Sequence, residues 1–128
     1  MHLDAINSGI NSDISLEETV RKVYLVYPHH VFQGKEDLQY EIFNQISQFF
    51  SIPIHSIQVT GSGKTGRSLH KQTDFCPLRS DLDIAIINER LFIKYMEIVS
   101  LQTNGYRKAD MFGRDTKTGA SLKDEYLT

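Results

Sequence analysis

The chain has 128 residues, 40% of them hydrophobic and 23% charged, and its net charge of −2 argues against a generally basic nucleic-acid-binding protein. Its single cysteine, Cys76, excludes an internal disulfide and fits a reducing compartment. No run approaches the ~18 apolar residues of a membrane span, and residues 1–11 lack a signal pattern, so we expect a cytoplasmic protein with no membrane partner.

The first predicted helix follows a polar segment, residues 1–14, which we expect to be a flexible lead-in. Ser15 and Glu18 have the spacing of a capping box, with serine at the N-cap and glutamate three residues later. Apolar residues then recur on one helical face as far as Tyr27. Pro28 ends this helix because it disfavours helical geometry at the residue before it.

A second helix and a first strand complete the predicted N-terminal half. Apolar residues at helical spacing predict a helix over residues 35–50, and Pro53 follows it. The β-branched run at residues 57–60 predicts a short strand. Between the two helices, His29 and His30 are interpreted as an exposed loop pair, because no third metal ligand lies near them in the sequence.

A long basic loop joins this strand to the next one. Residues 63–80 contain four basic side chains, Lys64, Arg67, Lys71 and Arg79, against the one acid Asp74. A connection of this length indicates either a functional or a mobile segment. The apolar run at residues 82–87 predicts a second strand that is buried on both faces.

The last part of the chain is predicted to contain a third helix over residues 89–103, with Asn104 and Gly105 as its C-cap. Residues 106–112 are interpreted as a short strand, and Ser121 as the N-cap of a final helix. We therefore expect one domain over residues 15–128, cut short as an incomplete fragment of a longer chain.

Two short motifs carry the chemistry. Gly61 and Ser62 form a turn after the first strand, and Asp81 and Asp83 open the second strand nineteen residues later. Residues i and i+2 of a strand point to the same side, so the two carboxylates are expected to lie together. Neighbouring carboxylates repel each other unless a cation lies between them, which predicts a divalent metal site that faces a phosphate-binding turn.

These motifs resemble those of the nucleotidyltransferase superfamily, which has a polymerase-β-like fold. The family signature is an apolar strand, Gly-Ser, a variable loop and then Ser-Asp-x-Asp on a second apolar strand. Here it corresponds to residues 59–62 and 80–84, and the resemblance covers about residues 55–100. It implies an α/β (α+β) fold in which a small mixed sheet is backed by helices, with the two strands as neighbours.

The resemblance also implies roles for individual residues. Asp81 and Asp83 would be catalytic and would bind Mg²⁺ or Mn²⁺, and an NTP such as ATP would be the substrate. Gly61 and Ser62 would bind its triphosphate. Lys64 and Arg67 are interpreted as the basic side chains that neutralise it.

Active family members have a third carboxylate on a later strand, and Asp110 is the candidate here. The alternatives are that the third acid lies beyond residue 128 or that none exists. The enzyme hypothesis is transfer of a nucleoside monophosphate from the NTP to a hydroxyl acceptor. The alternative is an inactive domain of the same fold that binds NTP, regulates, or binds a partner protein.

The acceptor stays open between a nucleotide, an RNA end and a protein hydroxyl, and partner proteins or an oligomer are compatible with the sequence. Small bacterial relatives act in toxin–antitoxin or anti-phage systems, which suggests such a role by analogy only. A P-loop NTPase is the weakest interpretation. Gly63, Lys64 and Thr65 fit the end of that motif, but Gln58 occupies the place of its first glycine.

Overall fold

The computed structural model describes residues 1–127 and has a mixed α+β fold. The chain divides into two compact units, residues 1–87 and the residues from Asn88 onward. The described residues form six α-helices and two small sheets, which confirms the predicted class, although both sheets are antiparallel rather than mixed. None of the helices in this part of the chain combines the length and apolar character that a membrane span needs.

The first unit begins with helix α1, His2–Ile10, where a flexible lead-in was expected. Gly9 is buried at the contact between α1 and the next helix, and a β-carbon at this position would overlap the hydroxyl of Thr19. The imidazole of His2 is also buried, with its Nε2 2.7 Å from the carbonyl oxygen of Pro28. His2 and Gly9 are therefore the two buried residues through which this segment packs.

Helix α2, Leu16–Val20, begins as predicted and continues as a π-helical segment, Arg21–Val26. The hydroxyl of Ser15 accepts a hydrogen bond from the N–H of Glu18 at 3.1 Å, which satisfies one of the unpaired donors of the first turn. Tyr27 is extended before Pro28, so the predicted end of the helix is confirmed.

A short 3₁₀ turn, His30–Phe32, leads into helix α3, Glu36–Phe50. The rings of Phe32 and Phe43 pack edge to face with their centroids 6.0 Å apart. A second 3₁₀ turn, Ile54–Ser56, follows. The buried apolar side chains of this unit come from the π-helical segment, the first 3₁₀ turn, α3 and the residues after it, and the first strand: Val23, Phe32, Phe43, Ile52, Ile57 and Val59.

Strand β1, Ile57–Val59, is followed by helix α4, Gly61–Thr65. The long basic loop is not featureless, because β2, Arg67–Ser68, pairs with β3, Thr73–Asp74, as a small hairpin.

Strand β4, Ile84–Ile86, then pairs with β1, so the two predicted strands are neighbours. In this antiparallel pair Ile57 lies opposite Ile86 and Val59 lies opposite Ile84. The expectation of burial on both faces of β4 is wrong. Its residues are only half-buried and Ile87 is 59% exposed, whereas Ile57 and Val59 of β1 in the same sheet are buried, so the core covers β1 more completely than β4.

The second unit contains helix α5, Glu89–Gln102, a 3₁₀ turn, Ala109–Phe112, and helix α6, Lys123–Leu127. Asn104 and Gly105 both adopt positive φ after α5, as predicted for a helix end. The strand predicted over residues 106–112 is wrong. The N–H groups of Arg107 and Lys108 both donate to the carbonyl of Thr103, so the backbone continues to turn instead of extending.

The packing of α1 on α2 predicts whether an alanine at Gly9 raises or lowers the free energy of unfolding. Alanine in place of glycine raises the stability of a free helix by roughly 0.5–1 kcal/mol. At Gly9 the added methyl group would meet the buried, β-branched Thr19, so we expect Gly9→Ala to lower the free energy of unfolding by about 1–3 kcal/mol. Urea denaturation measures this change. Ser8→Ala, at an exposed position of α1, is the matched control and should leave stability nearly unchanged. A Gly9→Ala variant as stable as the wild type would contradict the packing of α1.

Candidate functional site

The turn after β1 is held against the segment that precedes β4. The N–H of Thr60 donates to the carbonyl of Asp83 at 2.9 Å, so the ladder between the strands extends one residue beyond them. Gly61 has φ +59°, and a β-carbon on it would lie 2.5 Å from Oδ2 of Asp83. Glycine suits this position because it adopts a positive φ with little strain and because its missing side chain lets a carboxylate approach the backbone closely.

Asp81 and Asp83 line one cavity of about 630 Å³ together with Gly61 and Ser62. A volume of this size is in the range of small-molecule sites. The structure thus brings together the four residues of the two sequence motifs, although β4 begins only at Ile84, after the aspartates. Both carboxylates are exposed, and within residues 1–127 neither one is in an ion pair.

Three basic side chains line the same cavity, and one of them is already engaged. The guanidinium of Arg67 donates to the carboxylate of Asp74 at 2.8 Å and to the carbonyl of Gln72 at 2.6 Å, which joins the two strands of the hairpin. Lys71 and Arg79 have no ion-pair partner in the described part of the chain. These two side chains are therefore the cations that a bound anion could reach with the least rearrangement.

Lys64 does not lie where the sequence interpretation puts it. Its side chain is fully buried, and its ammonium donates to the carbonyl of Tyr27 and lies 3.2 Å from Nδ1 of His29. Burial lowers the pKa of Lys64 to about 8 because the interior disfavours the charged form. The prediction that Lys64 contacts phosphate in the cavity is wrong, because its amine is hydrogen-bonded in the interior of the first unit.

The same observations bear on the P-loop interpretation. A P-loop lysine reaches the phosphates and the motif opens a long helix. Here the lysine is buried, and α4 ends at Thr65 because Gly66 adopts φ +86°. Both features differ from what a P-loop requires.

His29 is buried rather than exposed, and its imidazole is the partner of the Lys64 ammonium. Burial, and then the nearby charge of Lys64, lowers the pKa of His29 to about 4. At neutral pH the ring is therefore uncharged, and Nδ1 is free to accept the hydrogen bond from Lys64. The local sequence shows only two histidines after Pro28 and contains no signal for this pairing.

Asp110, the candidate third carboxylate, lies in the second unit and forms an exposed ion pair with Arg114. No group of three or more histidine, cysteine or acidic side chains within residues 1–127 is arranged to share a metal ion. Asp81 and Asp83 are therefore the acidic side chains of the cavity that could hold a metal ion.

This pair fits a hard divalent cation. Mg²⁺ is usually held by one or two carboxylates and completes its shell with water and substrate phosphates. Asp81 and Asp83 supply two exposed carboxylates, and the Ser62 hydroxyl lines the same cavity.

The sequence interpretation missed Tyr24 as a cavity residue. The sequence pattern predicts that Tyr24 belongs to the apolar face of a regular helix. In the structure it lies in the π-helical segment, is half-buried and lines the cavity. A π-helical turn changes which side chains share a face, and such turns are frequent at functional sites. Local sequence periodicity does not reveal where such a turn occurs.

Comparison with protein-family models, with curated proteins and with solved structures found no significant match to this chain.

The buried pair predicts how stability depends on pH. The ordinary pKa of histidine is 6.5, and that of His29 in the folded protein is about 4, so between these values the unfolded state binds more protons. The free energy of unfolding should therefore fall as pH is lowered from 6.5 towards 4. Replacing His29 with glutamine keeps an acceptor for Lys64 and removes the titration, so urea denaturation of His29→Gln should show a shallower decline.

His70→Gln is the control, because this imidazole is exposed on the hairpin between β2 and β3. It should retain the pH dependence of the wild type. If His29→Gln declined as steeply as the wild type, the imidazole would not be buried and neutral in the folded state.

Proposed function

We propose that this protein is a metal-dependent nucleotidyltransferase with a polymerase-β-like fold, which transfers a nucleoside monophosphate from an NTP to a hydroxyl acceptor. One observation carries the proposal. Asp81 and Asp83 line a single cavity with Gly61 and Ser62, and Oδ2 of Asp83 lies 2.5 Å from the position that a β-carbon on Gly61 would occupy. Carboxylates facing a Gly-Ser turn are the arrangement on which the family resemblance rests.

Asp81 and Asp83 would hold Mg²⁺ or Mn²⁺, which supplies Lewis-acid stabilisation of the phosphate charge when bound. The hydroxyl of Ser62 would donate a hydrogen bond to a phosphate oxygen. Lys71 and Arg79, instead of Lys64, would neutralise the triphosphate, because they line the cavity without ion-pair partners among the described residues. Arg67 would contribute mainly by fixing the hairpin that carries Lys71.

In the proposed reaction an acceptor oxygen attacks the α-phosphorus of the NTP, and pyrophosphate leaves. Phosphoryl and nucleotidyl transfer depend mostly on position and on charge stabilisation, so the chain has to hold the triphosphate in line with the acceptor. The basic side chains and the carboxylates that line the cavity would supply the contacts for this alignment. The acceptor is a nucleotide, an RNA end or a protein hydroxyl.

Calorimetric titration of ATP in the presence of Mg²⁺ tests the carboxylate pair. Replacing both aspartates, as Asp81→Asn with Asp83→Asn, should weaken Mg²⁺-dependent binding by about a hundredfold or more, because residues that merely orient metal ligands are already worth about 10–100-fold. The matched control is Asp37→Asn with Glu41→Gln. It also removes two carboxylates, at exposed positions of α3 that do not line the cavity, and should bind ATP nearly as the wild type does. Undiminished binding in the double variant would refute the metal site.

The second candidate is a domain of the same fold that binds NTP and regulates or recruits a partner without catalysis. The observation that favours it is the engagement of Asp110, the predicted third acid, with Arg114 in the second unit. Release of pyrophosphate from ATP in the presence of candidate acceptors separates the two functions. Metal-dependent release that the double aspartate variant loses supports the enzyme, whereas Mg²⁺-dependent binding without release supports the regulatory domain.

A further inference from the structure

Most of the groups that line the cavity are charged or polar. The carboxylates, the basic side chains and the hydroxyls suit a metal ion and a triphosphate, but they offer no flat apolar surface to a nucleobase. Across the described residues, Tyr24 is the only Phe, Tyr or Trp that lines the cavity. The other large apolar side chain on its wall is Leu69, in the connection between β2 and β3.

Tyr24 is attached to the same frame as the Gly-Ser turn. Its neighbour Val23 is fully buried, and the π-helical segment that carries both packs against β1, the strand that leads to Gly61. At the end of this segment the carbonyl of Tyr27 accepts the hydrogen bond from Lys64, which belongs to α4. The position of the Tyr24 ring relative to Gly61 is therefore set by packing and by a buried hydrogen bond.

The side chains of Tyr24 and the nearby Tyr27 differ in the contacts that they make within the fold. The ring of Tyr27 packs against the imidazole of His2 and lies 5.8 Å from the ammonium of Lys22. Within residues 1–127 the Tyr24 ring has no such ring or cation contact, and its hydroxyl has no hydrogen-bond partner. The ring is half-buried and lines the cavity, so one part of it is anchored and another faces the site.

We infer that Tyr24 is the platform on which the base of the bound NTP stacks. The inference rests on the proposed nucleotide site and deepens it. The carboxylates and cations would bind the triphosphate end, and the tyrosine ring would bind the base end of the same molecule. Every base has a π face, so stacking tolerates all four bases, and purines gain more than pyrimidines because their ring surface is larger.

Two probes separate the base from the triphosphate: ATP and inorganic tripolyphosphate, each titrated calorimetrically with Mg²⁺. Replacing Tyr24 with alanine should weaken ATP binding roughly tenfold or more, the size expected for the loss of one base–aromatic stack, and should leave tripolyphosphate binding unchanged. Tyr24→Phe retains the ring and should bind ATP nearly as the wild type does. Tyr24→Leu keeps apolar volume without a flat ring, and should lose ATP affinity even if the alanine variant does not fold.

A fluorescence experiment reports the stack directly. The chain contains no tryptophan, so Tyr24→Trp introduces a single indole at the proposed platform. We expect ATP with Mg²⁺ to quench its emission and tripolyphosphate to leave it unchanged. Tyr40→Trp is the matched control, because Tyr40 is 63% exposed on α3 and does not line this cavity, and its indole should not respond to ATP.

The outcomes distinguish the platform from the proposed function. If Tyr24→Leu binds ATP as the wild type does while the double aspartate variant does not, the platform is refuted and the nucleotide site stands. If Tyr24→Leu loses tripolyphosphate and ATP equally, the residue is structural and the platform is refuted. If the wild type binds neither ATP nor tripolyphosphate with Mg²⁺, both the platform and the proposed function fail.

Discussion

The buried ammonium of Lys64 is the interaction on which the geometry of the cavity depends. A charge in the interior is costly unless hydrogen bonds replace its water, and here the carbonyl of Tyr27 and the imidazole of His29 do so. Tyr27 is the C-cap of the π-helical segment and His29 lies just after Pro28, whereas Lys64 lies in α4. Their hydrogen bonds therefore join two segments that are far apart in the sequence. One segment carries Tyr24 and the other carries Gly61, so these hydrogen bonds hold together two parts of the cavity lining.

A second constraint sets the distance between the turn and the acids. The hydrogen bond from Thr60 to Asp83 extends the β1–β4 pairing, and the missing side chain of Gly61 leaves room for the Asp83 carboxylate. Carboxylates held near a turn without a countercharge repel one another and attract cations. The same geometry that positions Asp83 thus leaves it and Asp81 available for a metal ion, which is the physical basis of the proposed function.

The sequence predicts those parts of the fold that depend on local signals. The Ser15 cap, the stop at Pro28 and the helix over Glu36–Phe50 follow from hydrogen-bonding chemistry and periodicity, and the structure confirms them. The pairing of the two predicted strands is an implication of the resemblance, and it is also present. The motif residues Gly61, Ser62, Asp81 and Asp83 also line one cavity, although the aspartates precede β4 instead of lying on a strand.

The parts that the sequence does not predict depend on tertiary contacts. Lys64 in a Gly-Lys-Thr run reads as a phosphate ligand, and only the fold shows that its amine meets Tyr27 and His29 in the interior. Helix α1 packs through a glycine contact and a buried histidine, and the local sequence does not show either tertiary contact. Residues 106–112 show neither a clear strand period nor a clear helix period, and only the structure shows that the carbonyl of Thr103 accepts two successive N–H groups and keeps the backbone turning.

The central claim, that Asp81 and Asp83 hold a metal ion against the Gly61–Ser62 turn, is tested most directly by locating the metal with NMR. Mn²⁺ broadens the amide signals of nearby residues and binds the same oxygen ligands as Mg²⁺. With a non-hydrolysable ATP analogue and substoichiometric Mn²⁺, the account predicts the strongest broadening at Gly61, Ser62 and residues 81–83, and its loss in Asp83→Asn. Broadening centred on Asp110, or an unchanged pattern in Asp83→Asn, would contradict it.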